Sequence, residues 1–151
     1  MLNSRDWSSL IICNNVGRVL AIDYGRKRTG VAVSDPLRIL AQPLETVPTH
    51  LLLDWLDNYF KRESVDIVVV GQPKKMNNMD SDTMSDIRAF LRQFSARFPD
   101  RQVCLFDERF TSVLAHRAMI DGGMKRMQRQ DKNVVDKIAA SYILESYLQS
   151  L

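Results

Sequence analysis

Cysteine is almost absent from this sequence: Cys13 and Cys104 are the only two, ninety-one positions apart. With no CxxC motif and no second pair, they can build neither a zinc site nor a redox dithiol, and a disulfide scaffold is excluded. Idle or buried thiols in a reducing cytoplasm are the expected setting. Long apolar runs are missing too. None exceeds four residues, as at Leu10–Cys13 and Ile67–Val70, against the roughly 20 that a membrane-spanning helix needs. Nor is there the apolar stretch of a secretory signal. Histidine is confined to His50 and His116, both at positions that read as exposed on helices. Aromatic residues make up 8% of the chain, so platforms for stacking bases are few; Tyr24 and Phe110 are the candidates.

What the chain does contain describes one globular domain. Its 151 residues are 45% apolar and 26% charged, and a domain of this size buries about 68–70% of its unfolded surface without help from disulfides or a structural metal. Twenty-one Lys and Arg against eighteen Asp and Glu leave a net charge of +3, a mild bias towards polyanions.

Residues 1–16 show no clean period and read as an N-terminal extension, compatible with disorder, ahead of a single domain over 17–151. Arg18 to Asp23 and Thr29 to Asp35 read as buried strands, and the short Gly-containing link between them predicts an antiparallel hairpin. Ile39 to Thr46 is a third strand, which Pro43 demotes to an edge or a bend. Thr49 is placed to cap a helix carrying Leu52, Leu53, Leu56, Tyr59 and Phe60 at helical spacing. Val65 to Val70 is a buried strand. Met84, Ile87, Leu91, Phe94 and Phe98 recur at 3, 4, 3, 4 and mark a second amphipathic helix, stopped by Pro99. Gln102 to Asp107 is another strand, and Thr111 or Ser112 caps a short helix that Gly122-Gly123 ends. A last helix runs from about Asn133. The order implies an α/β fold with a mixed five-stranded sheet, its first three strands antiparallel and the rest parallel, flanked by helices.

In open α/β sheets ligands collect beyond the carboxyl ends of the parallel strands. Asp23 ends the first strand, and Asp107-Glu108 ends the last. Asp136 opens the final helix on one stripe with Ala140, Ile143 and Tyr147. An acid on a core-facing stripe is costly unless a cation or donor meets it; the alternative is a capping arrangement with Asn133. Carboxylates from three elements in one crevice repel unless divalent cations neutralise them. Mg²⁺, with Mn²⁺ as the alternative, suits such a site, and two ions can clamp a phosphodiester for attack by water. Arg26, Lys27 and Arg28 in the hairpin, Arg109, and Lys125, Arg126 and Arg129 in the loop before Asp136 would hold a nucleic acid through its phosphates.

The stretches Asp23-Tyr-Gly-Arg-Lys-Arg-Thr-Gly-Val-Ala-Val-Ser-Asp35, Val70-Gly-Gln-Pro73, Asp107-Glu-Arg-Phe-Thr111 and Val135-Asp-Lys-Ile-Ala-Ala140 together resemble the YqgF family, also called RuvX, from about Gly17 to Leu148. The resemblance implies a ribonuclease H-like fold and a cytoplasmic bacterial nuclease that matures the 5′ end of precursor 16S ribosomal RNA, in contact with the ribosome or processing factors. An older description of the family is a Holliday-junction resolvase. Its motifs assign the catalytic, metal-binding carboxylates to Asp23, Glu108 and Asp136, choosing Glu108 over Asp107. The chain departs from the family in the loop after Val70, which reads Gly71-Gln-Pro-Lys-Lys-Met-Asn-Asn-Met-Asp-Ser81 without a second glycine.

Three other readings compete. A DNA junction resolvase would need two active sites and hence a homodimer rather than a monomer. An RNA-binding assembly factor would leave the same site idle. Asp23-x-Gly followed by Gly30 also resembles the phosphate-binding hairpin of actin-like and sugar kinases, but those enzymes close two such domains over a nucleotide, and this chain supplies one.

Overall fold

Alternation along one strand sets the two layers of the molecule. In β1 (Arg18–Asp23), Val19 and Ala21 enter one apolar cluster while Leu20 and Ile22 enter the other, as the two-residue period of a strand requires. The computed structural model describes residues 17–72, 81–107 and 132–151. The N-terminal extension, the expected helix after Thr111 and the family's departing loop over 73–80 lie outside them.

β1 forms the predicted hairpin with β2 (Arg28–Ser34), in a register from Leu20–Val33 to Asp23–Gly30. β3 (Ala41–Pro48) pairs antiparallel with β2 and lies at the sheet edge. Val31 faces Glu45 but Ala32 faces Pro43, so Leu44 is an extra residue. The proline that removes a donor thus sits at a bulge on an edge strand, where its missing N–H is tolerated. The strand begins two residues later than its sequence pattern suggests. The Asp35 carboxylate accepts the N–H groups of Ile39 and Leu40, each at 2.8 Å, and Arg38 takes a positive φ of 59°. That turn occupies residues expected to be extended.

β4 (Val65–Gln72) and β5 (Gln102–Asp107) add in parallel beside β1, giving the order β3-β2-β1-β4-β5. The mixed five-stranded sheet is therefore as the element order implied. On one face lie α1 (Leu52–Arg62) and α2 (Ser81–Arg97). Leu52, Leu56 and Tyr59 of α1 meet Met84, Ile87, Phe90 and Phe94 of α2 and Phe98 just beyond it, over Leu20, Ile22, Val31 and Val68. Phe90, which the 3-4-3-4 count steps over, is buried, whereas Leu91 lies at the rim. On the other face α3 (Lys132–Gln149) packs Ala140, Ile143 and Leu144 on Val19, Ala21, Ala32 and Val69. Small side chains on both partners let this helix lie close to the sheet. Among the described residues no helix is long and apolar enough to cross a membrane.

Thr49 does not cap α1. It opens a 3-10 turn (Thr49–Leu51), and α1 begins after Leu51 with no side-chain cap. The Thr49 hydroxyl instead donates to the Gly25 carbonyl at 2.6 Å and lies 2.9 Å from the Thr29 hydroxyl, while the Thr49 N–H donates to the Lys27 carbonyl. The start of this helical segment is thereby tied to the β1–β2 turn. Cys104 is half-buried, and burial pushes its thiol pKa up, which keeps it in the unreactive form.

Candidate nuclease site

Because β1, β4 and β5 run parallel, their carboxyl ends share one edge of the sheet. Ile22 is beside Val70, Gly71 beside Phe106, and Gln72 beside Asp107. Asp23 is the last residue of β1 and is half-buried. Glu108 is the next residue after β5 and lies outside the described residues, as do Arg109, Lys125, Arg126 and Arg129.

Two of the three expected acidic residues lie on neighbouring elements here, and a glycine lets those elements approach. Asp23 faces Gly30 across the hairpin. A Cβ added to Gly30 would stand 1.9 Å from the Asp136 carbonyl oxygen and 2.9 Å from the Lys137 nitrogen. The opening of α3 thus rests directly on the backbone of β2, one strand away from Asp23. Any side chain at position 30 would hold that helix off the sheet. The stripe of Asp136, Ala140 and Ile143 faces the sheet as its spacing implied.

The carboxylate of Asp136 is met by a donor. Arg28 Nε lies 3.3 Å from Asp136 Oδ2, with 37% and 27% of the two side chains exposed. The alternative capping role is not what the structure displays. α3 already begins at Lys132, so Asn133 is inside the helix, and the carboxylate turns to the hairpin.

The three hairpin cations separate. Arg28 reaches to α3. Arg26 Nε instead makes an ion pair at 2.7 Å with Asp86 of α2. Lys27 is exposed at the tip, its carbonyl held by Thr49. Of the two candidate stacking residues, Phe110 lies outside the described residues, and Tyr24 stacks on Phe90 with ring centroids 5.4 Å apart. Burial and the nearby Asp86 raise the phenol pKa of Tyr24, so it stays a neutral hydrogen-bonding group.

Sequence reading missed Asp86, Thr29 and Thr49 as parts of this region. Asp86 lies on a helix face with no motif to mark it. Thr29 is fully buried and reads as an ordinary β-branched strand residue, although its hydroxyl links the Gly25 N–H to Thr49. His50 is exposed, as expected; His116 lies outside the described residues.

The donor set suits a hard divalent cation. Asp23 and Asp136 offer carboxylate oxygens from neighbouring elements, and both retain solvent exposure for bound water. No cluster of three or more His, Cys, Asp or Glu side chains gathers among the described residues; Glu108 is not one of them.

A family model described as RuvX, Holliday junction resolvase, matches residues 17–150. The chain belongs to the RuvX family. Membership places it among nucleases and agrees with the motifs read from the sequence. It is 54% identical over 135 residues to a Bacteroides fragilis protein named "Putative pre-16S rRNA nuclease", a match covering 89% of this chain and 98% of that protein. Proteins of the same name from Phocaeicola vulgatus and Flavobacterium johnsoniae are 55% and 48% identical, over 89% and 88% of this chain and 97% and 96% of theirs. Among solved structures it is similar to T. thermophilus RuvC in complex with a Holliday junction substrate, with a TM-score of 0.55 and 16% identity over 89% of this chain and 96% of that one. That likeness shows the fold alone, a ribonuclease H-like sheet of the resolvase type.

Proposed function

We propose that this RuvX chain is a divalent-metal-dependent nuclease of the cytoplasm that cuts precursor 16S ribosomal RNA at its 5′ side. The observation that carries the reading is that Gly30 faces Asp23 across the hairpin while the backbone of Asp136 rests on it, at the sheet edge that also bears Arg28 and Lys27. Acidic and basic groups at one edge match a phosphodiester, which needs cations on its oxygens and a polarised water for attack. The substrate assignment is supported by close relatives whose name refers to pre-16S rRNA.

In this reading Asp23, Glu108 and Asp136 hold Mg²⁺, or Mn²⁺ in its place, and the metal supplies charge neutralisation and a more acidic bound water. Asp23 and Asp136 contribute oxygen donors from the end of β1 and the start of α3. Arg28 offsets part of their charge and lies where a phosphate oxygen would approach. Lys27 extends that attraction from the hairpin tip, and Arg26, Arg109, Lys125, Arg126 and Arg129 are assigned to the flanking backbone. Contacts of this kind grip phosphates without reading bases, so binding weakens with salt.

The fold likeness to RuvC favours a second reading, resolution of four-way DNA junctions, which needs two copies of the site. The deciding experiment offers wild type and Asp23→Asn a precursor 16S 5′-leader RNA and a four-way DNA junction, with Mg²⁺, Mn²⁺ or EDTA. Cutting of the RNA alone, lost in EDTA and in Asp23→Asn, is the expected result. Cutting of the junction alone by a dimer would replace it. Binding of RNA without cleavage would make the chain an assembly factor.

A further inference from the structure

On the other side of Asp23 from α3 lies a cavity of 260 Å³ between the hairpin, the 3-10 turn and α2. It is lined by Tyr24, Arg26, His50, Leu53, Phe90 and Gln93, together with Thr49 and Leu52. Its chemistry is layered. Leu52 and Phe90 are buried and form an apolar floor, while imidazole, amide and phenol groups stand around it. Among the described residues no hydrogen bond engages the side chains of His50 or Gln93, so both are available to a ligand. The Thr49 hydroxyl is spent on Gly25, and Arg26 is paired with Asp86. The volume falls just below the roughly 300–1,000 Å³ typical of sites for drug-sized ligands. It suits one planar ring system rather than a whole nucleotide.

We propose that this cavity receives one unpaired nucleobase of the substrate strand, beside the sheet edge that Asp23 ends. The inference rests on the nuclease reading and adds a subsite to it. Three features carry it. Tyr24, which lines the cavity, directly follows Asp23, so the cavity lies at the same end of the sheet as the carboxylate edge, on its α1–α2 face. An apolar floor with a stacked Tyr24–Phe90 pair at 5.4 Å matches the faces of a base, which gain from aromatic contact whatever their sequence. His50 and Gln93 match its edges, since an amide both donates and accepts and an imidazole can do either. A base stacked inside a duplex cannot reach a lateral cavity, so the strand must be single or locally opened here.

The test uses the full chain carrying Asp23→Asn, in EDTA, so that nothing is cut. A single-stranded RNA oligonucleotide has 2-aminopurine placed at successive positions, and a matched series has one abasic site in place of the reporter. His50→Ala with Gln93→Ala alters exposed side chains and leaves the core intact. The expected results are fluorescence quenching at one position, about tenfold weaker binding of that oligonucleotide by the double variant, and no further loss when the abasic strand meets the double variant. A DNA oligonucleotide series run in parallel shows whether the subsite accepts either sugar. Losses that add independently, or quenching at no single position, would overturn the subsite while leaving the nuclease reading untouched. Failure of the wild-type chain to bind or cut any nucleic acid would overturn both.

Discussion

Gly30 and Asp136 touch through their backbones: the space a Cβ would fill at Gly30 is held by the Asp136 carbonyl oxygen, 1.9 Å away. Sheet and helix are joined here by main chain, which cannot swing aside as a long side chain can. Gly30→Ala must therefore displace α3, and overpacking of this kind costs about 3 kcal/mol at the upper end of its usual range. Urea unfolding should show a lower midpoint at an unchanged slope. Cleavage should fall further than stability does, because the displaced element carries Asp136. A Gly30→Ala protein with wild-type midpoint and wild-type activity would show that α3 does not need this contact.

Asp136 and Arg28 separate the metal's part from the fold's. The pair is partly exposed, and ion pairs of this kind contribute at most about 1 kcal/mol, so Arg28→Gln should unfold close to the wild-type midpoint. Its phosphate grip should nevertheless be weaker, and a plot of log affinity for RNA against log salt should lose about one unit of slope. Mg²⁺ should raise the Tm of the wild type, because a ligand that binds the folded state stabilises it by mass action, and Asp136→Asn should fold normally in EDTA yet lose that rise. An equal Mg²⁺ shift in both proteins would remove Asp136 from the metal site.

How much of this was legible beforehand follows from what each feature depends on. The sheet was, because the short apolar run Val19–Ile22 bounded by charged residues and a short Gly25 link are local signals, and so was the face of α3, because Asp136, Ala140 and Ile143 are spaced by helix geometry alone. The destination of Thr49 was not. A threonine before a leucine run looks like a cap, and only the fold brings Gly25 and Thr29 to its hydroxyl. The start of β3 was likewise misplaced, since the Asp35 carboxylate captures two N–H groups that an isolated strand would have left for a neighbour. That the opening of α3 rests beside the end of β1 required the register that sets Gly30 opposite Asp23. The family motif named Asp23 and Asp136 without that reason.

The Asp35 turn should make stability depend on pH. The Leu40 N–H, then that of Ile39, hold the carboxyl pKa below its ordinary value. A group depressed in the folded state contributes stability above its unfolded pKa and loses it as pH falls through the folded one. Asp35→Asn keeps an oxygen acceptor but no charge. The Tm difference between wild type and Asp35→Asn should favour wild type near neutrality and shrink below about pH 4. A difference that stays constant down to pH 2 would mean the ionised form has no advantage in the turn.

Thr49→Val tests whether the hydroxyl chain positions the basic hairpin. Valine keeps the shape of threonine but removes the donor to Gly25 and the oxygen beside Thr29, whose own hydroxyl is fully buried. A buried polar group left without its partner costs about 1–3 kcal/mol, so the urea midpoint should drop accordingly. The Lys27 carbonyl keeps its bond from the Thr49 N–H, and the hairpin should stay formed but loosen between Gly25 and Thr29. Arg28 and Lys27 lie inside that span. Affinity for RNA should therefore fall along with stability, while the Mg²⁺-induced rise in Tm persists because Asp23 and Asp136 are held by the Gly30 contact instead. Thr29→Val removes the other hydroxyl and should cause the same two losses, and the double variant should lose little more than either single change, since residues of one hydrogen-bond chain are not additive. Independent, additive losses in the double variant would show that the two hydroxyls act separately and that the chain from Gly25 to Thr49 does not work as a unit.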